Sequence, residues 1–546
     1  MPRPRIALVF LILCLAARPA LADGDEKHDH GGGDPTRLGK VSFPISCTAE
    51  AQKQFNLATA MLHSFWFSEA TKAYERVAKI DSKCAMAHWG VAMSLYEPIW
   101  EPPDAGRLKR GSEAVAKARV LNPVGREADY VAAIETYYRD YETMNHRTRA
   151  LAYEKKLEDL SRRYPDDHEA AMFYGIHLVG TALPTDKTYA NQRKAGAILE
   201  KIFTVQPDHP GIAHYIIHSY DYPLLAGRAL TAARKYSKIA PDSPHALHMP
   251  SHIFTRLGLW DDSIASNIAS AQSALRHVRK TDPESGSFDQ AHALDYLMYA
   301  YLQQGREKEA RKTMEELRAI RKLDRENFAA AYALSAAPVR WALERRNWVE
   351  AASLTLAPEF FTWSKYPWAE GTIRLGRAIG LARGGNPAAA RVEIARLAEI
   401  RDAVKQAKNG YWADQVEIWR LQAAGWTAHA EARQDEARTL LAAAATLEDA
   451  TEKHPVTPGP IQPAREMLAD LLLEQKRPAE ALSAYEAVLR SSPNRFNALH
   501  GAGRSAELAG EDRKARAHFE ALVTLAGANG SGRRELGEAR AYIAGK

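Results

Sequence analysis

Between residues 49 and 543 the apolar positions recur at spacings of three and four, with polar residues between them. That spacing is the period of an amphipathic helix, and the two-residue alternation typical of strands is scarce. Alanine, leucine, glutamate and arginine dominate the stretch, and all four are good helix formers. The pattern therefore predicts an all-α protein in which one helix follows another along nearly the whole chain.

Three stretches interrupt this pattern. Residues 97–106 (EPIWEPPDAG) and 453–463 (KHPVTPGPIQP) are proline-rich connections that a helix does not traverse. Residues 354–371 instead carry five aromatic side chains. Those aromatics either cap a groove or grip a ligand, or they pack between neighbouring helices. Packing is the favoured interpretation because aromatic side chains bury large areas.

Small residues and an aromatic recur 34 residues apart near the C-terminus. The matching positions are Ala469 and Gly503, Ala481 and Ala515, and Tyr485 and Phe519. This register resembles the tetratricopeptide repeat (TPR), in which small residues let two antiparallel helices approach closely. The resemblance implies an α-solenoid of TPR-like helical hairpins wound into a right-handed superhelix.

The interruptions and the repeat register together predict a division of the chain. We expect an N-terminal TPR-like array with a histidine-rich groove at 49–352 and divergent hairpins with the aromatic insertion at 353–452. The proline-rich connection follows at 453–463, and C-terminal TPR repeats occupy 464–546.

The N-terminus has the layout of an export signal. Residues 1–22 combine two early arginines, an apolar run and an Ala-Leu-Ala end, which predicts a signal peptide cleaved before Asp23. Residues 23–48 begin with a charged, glycine-rich stretch and are predicted to be a disordered leader. We therefore expect a periplasmic or secreted protein with no transmembrane segment in the mature chain.

Charge and cysteine content narrow the possibilities further. Loss of the signal peptide removes three arginines and no acid, so the formal charge falls from +6 to +3, which argues against nucleic acid as a partner. Cys47 and Cys84 remain, and in an oxidising compartment such a pair favours a disulfide. The two cysteines flank a predicted hairpin and so lie at the same end of it. Two free buried thiols are the alternative.

Histidines are concentrated in the middle of the chain. Seven of the nineteen fall in or beside three similar segments: His209, His214, His218, His245, His248, His252 and His292. When Gly227, Gly258 and Gly305 are aligned as position 15 of three repeats, one histidine falls at position 2 of each. The TPR resemblance implies that positions 2, 5 and 9 face the concave groove.

This register predicts a metal site, since histidines spaced i,i+4 lie on one face of a helix. The predicted ligands are His214, His218, His248, His252, His292 and Asp295, and the possible additional ones are His177, His245 and Asp221. Imidazole with some carboxylate suits a divalent transition metal, whether zinc, copper, iron or nickel. The alternative is that each histidine is a hydrogen-bonded groove residue and that there is no cofactor.

Two classes of function follow. The favoured one is an exported TPR solenoid that acts as a binding scaffold, with a protein or peptide in its groove or a small ligand at the histidines. The alternative is a metal-dependent enzyme, an oxidoreductase or hydrolase, built on the same scaffold. Catalysis is the less favoured of the two because the chain has no His-Glu-x-x-His and no Gly-x-Ser-x-Gly motif.

Overall fold

Helix ends lie where the sequence supplies caps and turns. The Asp104 and Asn145 carboxylate and amide oxygens each accept a backbone N–H three residues later, and Ser287 opens its helix with a capping box. Gly258 and Gly305 follow two of the helices with φ of 66°, a left-handed conformation that glycine adopts without strain. These are two of the three glycines that the repeat alignment places at position 15, between the two helices of a hairpin.

A computed structural model describes residues 37–97, 102–527 and 532–545 of the chain. The first helices are α1 Ala49–His63, α2 Phe67–Ile80, α3 Ala85–Leu95, α4 Ala105–Val120, α5 Gly125–Tyr138, α6 His146–Arg163, α7 His168–Thr181, α8 Ala190–Val205 and α9 Pro210–Tyr220. The middle helices are α10 Leu230–Ile239, α11 Pro244–His248, α12 Pro250–Leu257, α13 Trp260–Val278, α14 Phe288–Gln303, α15 Glu307–Ala319, α16 Phe328–Glu344 and α17 Trp348–Ala352. The last are α18 Pro367–Arg383, α19 Pro387–Gln406, α20 Gly410–Ala430, α21 Gln434–Asp449, α22 Ala464–Glu474, α23 Pro478–Ser491, α24 Phe496–Leu508, α25 Asp512–Ala526 and α26 Arg534–Gly545.

Short 3₁₀ helices at Ala226–Ala229 and Trp363–Lys365 complete the set, and within the described ranges there is no β-strand. The fold is thus the all-α solenoid of TPR-like hairpins that the sequence predicted. None of the helices in the described part of the chain is both long and apolar enough to span a bilayer.

The hairpins pack through small residues set against aromatic rings. A Cβ atom on Gly90 would lie 2.3 Å from the ring of Tyr74, and one on Gly501 would lie 2.2 Å from the ring of Tyr485. Such contacts are too short for any side chain, so each glycine lets a ring from the neighbouring helix lie against backbone. All six residues of the 34-residue register are buried.

The segment ahead of α1 differs from the disordered leader that composition predicts for 23–48. Leu38 and Phe43 are fully buried, and the Arg37 side chain pairs with Asp242 at 2.7 Å. The Phe43 ring also lies edge-on to Trp89, with 5.6 Å between centroids. The charged, glycine-rich first half of the segment dominated the compositional argument, whereas the apolar side chains of residues 37–48 pack against the first hairpins. Residues 23–36 and the predicted signal peptide at 1–22 lie outside the described residues.

Cys47 and Cys84 form a disulfide, as the sequence predicted, and their Cα atoms are 5.3 Å apart. One cysteine precedes α1 and the other ends the turn after α2, so the bridge closes the first hairpin at its open end.

The C-terminal repeats contact the middle of the array. Trp260 donates its indole N–H to the carbonyl oxygen of Asn494 at 2.8 Å. The neighbouring Arg495 is fully buried and pairs with Glu344 and Glu466 at 2.7 and 2.8 Å. Since a buried charge is costly unless it is paired, this cluster fixes how α24 sits beside α16 and α22. The proline-rich connection before α22 runs past α14, where the Tyr296 hydroxyl lies 3.2 Å from the carbonyl oxygen of Val456.

Candidate metal centre

Four helices bring the central histidines together. His214 and His218 lie on α9, His245 and His248 on α11, His252 on α12, and His292 on α14. Although Pro250 separates α11 from α12, Met249 between them keeps helical dihedral angles, with φ of −53° and ψ of −36°. His248 and His252 therefore stay on one face, one turn apart.

The structure divides the histidines into two sites. In the first histidine site (His214, His218 and His245), His214 Nε2 lies 3.0 Å from His218 Nε2 and 3.1 Å from His245 Nε2. Three ring nitrogens from two helices thus converge on one point. A nitrogen from each of the three residues lies within 4.8 Å of the others, which is compatible with one shared metal ion.

The second histidine site (His248, His252 and His292) repeats this construction one repeat later. His248 Nε2 lies 3.0 Å from His252 Nε2, and the ring of His292 on α14 lies 4.3 Å from that of His248. Each site therefore takes an i,i+4 pair from one repeat and the position-2 histidine of the next repeat. All three residues of the second site are buried.

In three of these histidines, the ring nitrogen that faces away from the site centre, Nδ1, contacts a group that only accepts hydrogen bonds. His214 Nδ1 donates to the backbone carbonyl oxygen of His63 at 2.6 Å, and His252 Nδ1 donates to the Asp221 carboxylate at 3.0 Å. His248 Nδ1 donates to the side-chain oxygen of Asn267 at 2.6 Å, and the Asn267 amide nitrogen in turn donates to a backbone carbonyl. These bonds place the proton of each neutral imidazole on Nδ1 and leave the Nε2 lone pair facing the site centre.

In the second site, two hydrogen-bond acceptors therefore face each other. His248 Nε2 and His252 Nε2 are at hydrogen-bond distance, but both rings already carry their proton on Nδ1. The Tyr296 hydroxyl is 3.2 Å from His252 Nε2 and also 3.2 Å from the Val456 carbonyl oxygen, so its single proton serves one of them at a time. A cation between the two nitrogens would satisfy both lone pairs at once.

A proton is a poor candidate for that cation. Burial, followed by the neighbouring imidazole of His252, holds the pKa of His248 well below its ordinary value of 6.5. Burial and then His218 do the same to the pKa of His214, and burial and then His248 to that of His292. The neutral rings are the form that binds a metal ion.

A third cluster, His63, Glu169 and His209, shows the contrasting arrangement. His63 Nε2 lies 2.7 Å from one Glu169 carboxylate oxygen, and His209 Nε2 lies 3.0 Å from the other. His209 Nδ1 accepts from the N–H of Gly211, and the Tyr215 hydroxyl lies 2.9 Å from His63 Nδ1. Every donor here meets an acceptor without a metal ion. Burial alone would raise the pKa of Glu169, but its interactions with His63 and His209, including the hydrogen bonds that both rings donate to it, outweigh burial and lower the pKa to about 2.

Two residues predicted from the sequence lie outside both histidine sites, and two additional candidates belong to them. Asp295 forms a buried ion pair with Arg340 and belongs to neither histidine site. His177 donates from Nδ1 to the Phe173 carbonyl oxygen and stacks on Tyr96, apart from both sites. His245, an additional candidate in the sequence, completes the first site. Asp221, the other additional candidate, orients His252 through its Nδ1–H.

Sequence reasoning missed three residues around the sites. Phe65, in the turn after α1, has φ of 51°, and its ring stacks on His218 at 5.4 Å and on His245 at 5.7 Å. Lys453, from the proline-rich connection, pairs with Asp221 at 2.6 Å and so joins the orienting network of the second site. Asn267 belongs to α13. A useful signal was available for Phe65 alone, since it occupies a helix-turn position where other repeats place glycine.

No protein-family model and no curated protein sequence matches this chain. Among solved structures, the human IFIT1 dimer with m7Gppp-AAAA is 13% identical, with a TM-score of 0.35 over 81% of this chain and 90% of that chain. The structure of Naa15/Naa10 bound to HypK-THB is 10% identical, with a TM-score of 0.25 over 91% of each chain. Likeness at these TM-scores carries no argument about what this chain binds or does.

Proposed function

We propose that this protein is an exported metal-binding protein whose TPR-like array holds divalent transition metal ions at the two histidine sites. The observation that carries the proposal is the 3.0 Å contact between His248 Nε2 and His252 Nε2, because both rings are committed to donate from Nδ1. Zinc, copper, iron and nickel all accept neutral imidazole ligands.

The two sites and the third cluster provide an internal comparison. In the third cluster a carboxylate separates the two histidines and accepts from both. In the two histidine sites imidazole nitrogens face one another directly. We therefore place metal at the first two and none at the third. Nucleic acid is not a partner in this proposal.

The decisive experiment measures metal in protein expressed with its own leader and purified from the periplasm without chelators. Elemental analysis should find two transition-metal ions per chain. The double variant His248→Ala/His252→Ala should retain one ion, whereas His209→Asn in the third cluster should retain both. Circular dichroism checks that the variants keep their helices.

A wild-type protein that carries no metal and takes up none on dialysis against zinc or copper would overturn the proposal. Export is tested on the same preparation, because its N-terminal sequence should begin at Asp23. Recovery of chains that retain Met1 from the envelope fraction would contradict the export part alone.

A further inference from the structure

The two histidine sites adjoin each other. The rings of His218 and His252, one from each site, have centroids 6.3 Å apart, and those of His245 and His248 are 6.2 Å apart. A metal ion lies about 2.0–2.1 Å from an imidazole nitrogen. Because rings of one site contact rings of the other, ions held at the two sites would be neighbours, as in two-metal centres.

Both sites also border the same cavity. It has a volume of about 360 Å³, and its wall includes His245 from the first site and His292 from the second. The other rings along this wall belong to Phe65, Phe67, Phe288, Phe328 and Tyr366, all of them half-buried, and to the buried His454. A cavity of this size, with aromatic walls and a few polar groups, is typical of small-molecule sites.

The charged groups of the cavity wall largely neutralise one another. Glu97 pairs with Arg107 at 3.2 Å and with Arg325 at 2.6 Å, and Arg107 also pairs with Asp104 at 2.8 Å. Burial, and then the nearby charge of Asp324, raise the pKa of Asp289 to about 7. The wall therefore offers little net attraction to a charged ligand, and its apolar area comes from rings.

We propose that the two histidine sites form one two-metal centre, and that the adjoining cavity binds a small aromatic molecule bearing an oxygen donor, of the phenol or catechol class. This inference rests on the proposed function. Three histidines leave at least one coordination position free on each ion. The aromatic walls would take the ring of the ligand, and its oxygen would occupy a free position beside His245 and His292.

The two-metal part is tested by loading the full-length protein with Cu(II) and measuring electron paramagnetic resonance. With two copper ions bound per chain, the integrated signal should be below about half of that expected for two independent Cu(II) ions, because neighbouring Cu(II) ions couple magnetically. His245→Ala should bind one copper and give the full signal of one spin. Two fully intense, uncoupled spins in the wild-type protein would overturn the two-metal centre, whereas failure to take up either copper or zinc would overturn the proposed function instead.

The cavity part is tested by titrating the copper-loaded protein with 4-nitrocatechol and following its absorbance. Phe67→Ala should weaken binding by about tenfold or more, since it removes a ring from the wall. Phe360→Ala, at an exposed aromatic outside the cavity, should leave the affinity unchanged. Both variants should still bind two copper ions. Equal affinity in wild type and Phe67→Ala, or no spectral change in the wild type, would refute the cavity assignment while leaving metal binding intact.

Discussion

The metal-free protein should lose stability steeply as the pH falls below about 6.5. All six imidazoles of the two histidine sites have their pKa lowered in the folded state, in each case first by burial. In the unfolded chain they return to about 6.5. Below that pH the unfolded state binds more protons than the folded state, so the free energy of unfolding falls with pH.

The magnitude follows from the number of groups. Each imidazole contributes about 1.4 kcal/mol per pH unit between its unfolded and its folded pKa. Six of them give up to about 8 kcal/mol per pH unit, a large part of the roughly 5–15 kcal/mol that stabilises a typical domain. This contribution to stability is fully present above pH 6.5, and it is lost as the pH falls towards the pKa values of the imidazoles in the folded protein.

The assay is thermal and urea unfolding of chelator-treated protein at intervals between pH 7.5 and pH 5. His292→Gln removes one titrating group and should make the dependence shallower by about 1.4 kcal/mol per pH unit. Leu441→Ala, a fully buried change on α21, should lower stability at every pH by about 2–5 kcal/mol and leave the slope unchanged. A stability that is flat between pH 6.5 and pH 5.5, or a slope that His292→Gln does not alter, would refute the reasoning.

Three further results are expected. Replacing Cys47 and Cys84 by serine opens a loop of 37 residues and should cost about 3–4 kcal/mol in denaturant unfolding; equal stability would show that the bridge does not form. Arg495→Ala leaves two buried glutamates without their partner and should cost about 3–5 kcal/mol, and a loss below 1 kcal/mol would contradict the buried pairing. Asp221→Asn removes the carboxylate that orients His252 and should therefore weaken metal binding about 10–100-fold. Competition with a chromogenic chelator measures the affinity, and an unchanged affinity would contradict this role of Asp221.

The helical fold follows from the sequence because its signals are local. The 34-residue register, the helix period and the turn glycines each depend on neighbours within a hairpin, and the structure has helices and turns there. The spacing of the histidines is also a short-range signal. It predicted both i,i+4 pairs and the histidine at position 2 of three successive repeats. It pointed to one site because spacing along a chain does not say which rings of adjacent helices face each other.

Contacts between distant residues account for what the sequence missed. Asp295 shares position 5 with His248, but Arg340, which lies 45 residues later, pairs with its carboxylate. Glu169 lies on α7 and His63 on α1, and the network they form spans three helices. Residues 37–48 were predicted to be disordered together with the charged, glycine-rich stretch before them, yet later parts of the chain bury Leu38 and Phe43. Such pairings depend on the tertiary arrangement.

The contact between Lys453 and Asp221 has a consequence for the order of assembly. The histidines of both sites precede Lys453, and 232 residues separate the lysine from Asp221. Until the C-terminal part of the chain has folded, the repeats that carry the histidines lack the proline-rich connection that runs past them. An ion bound at that stage would occupy a site whose orienting network lacks Lys453, so the metal centre proposed above is complete only once the C-terminal repeats pack against the middle of the array.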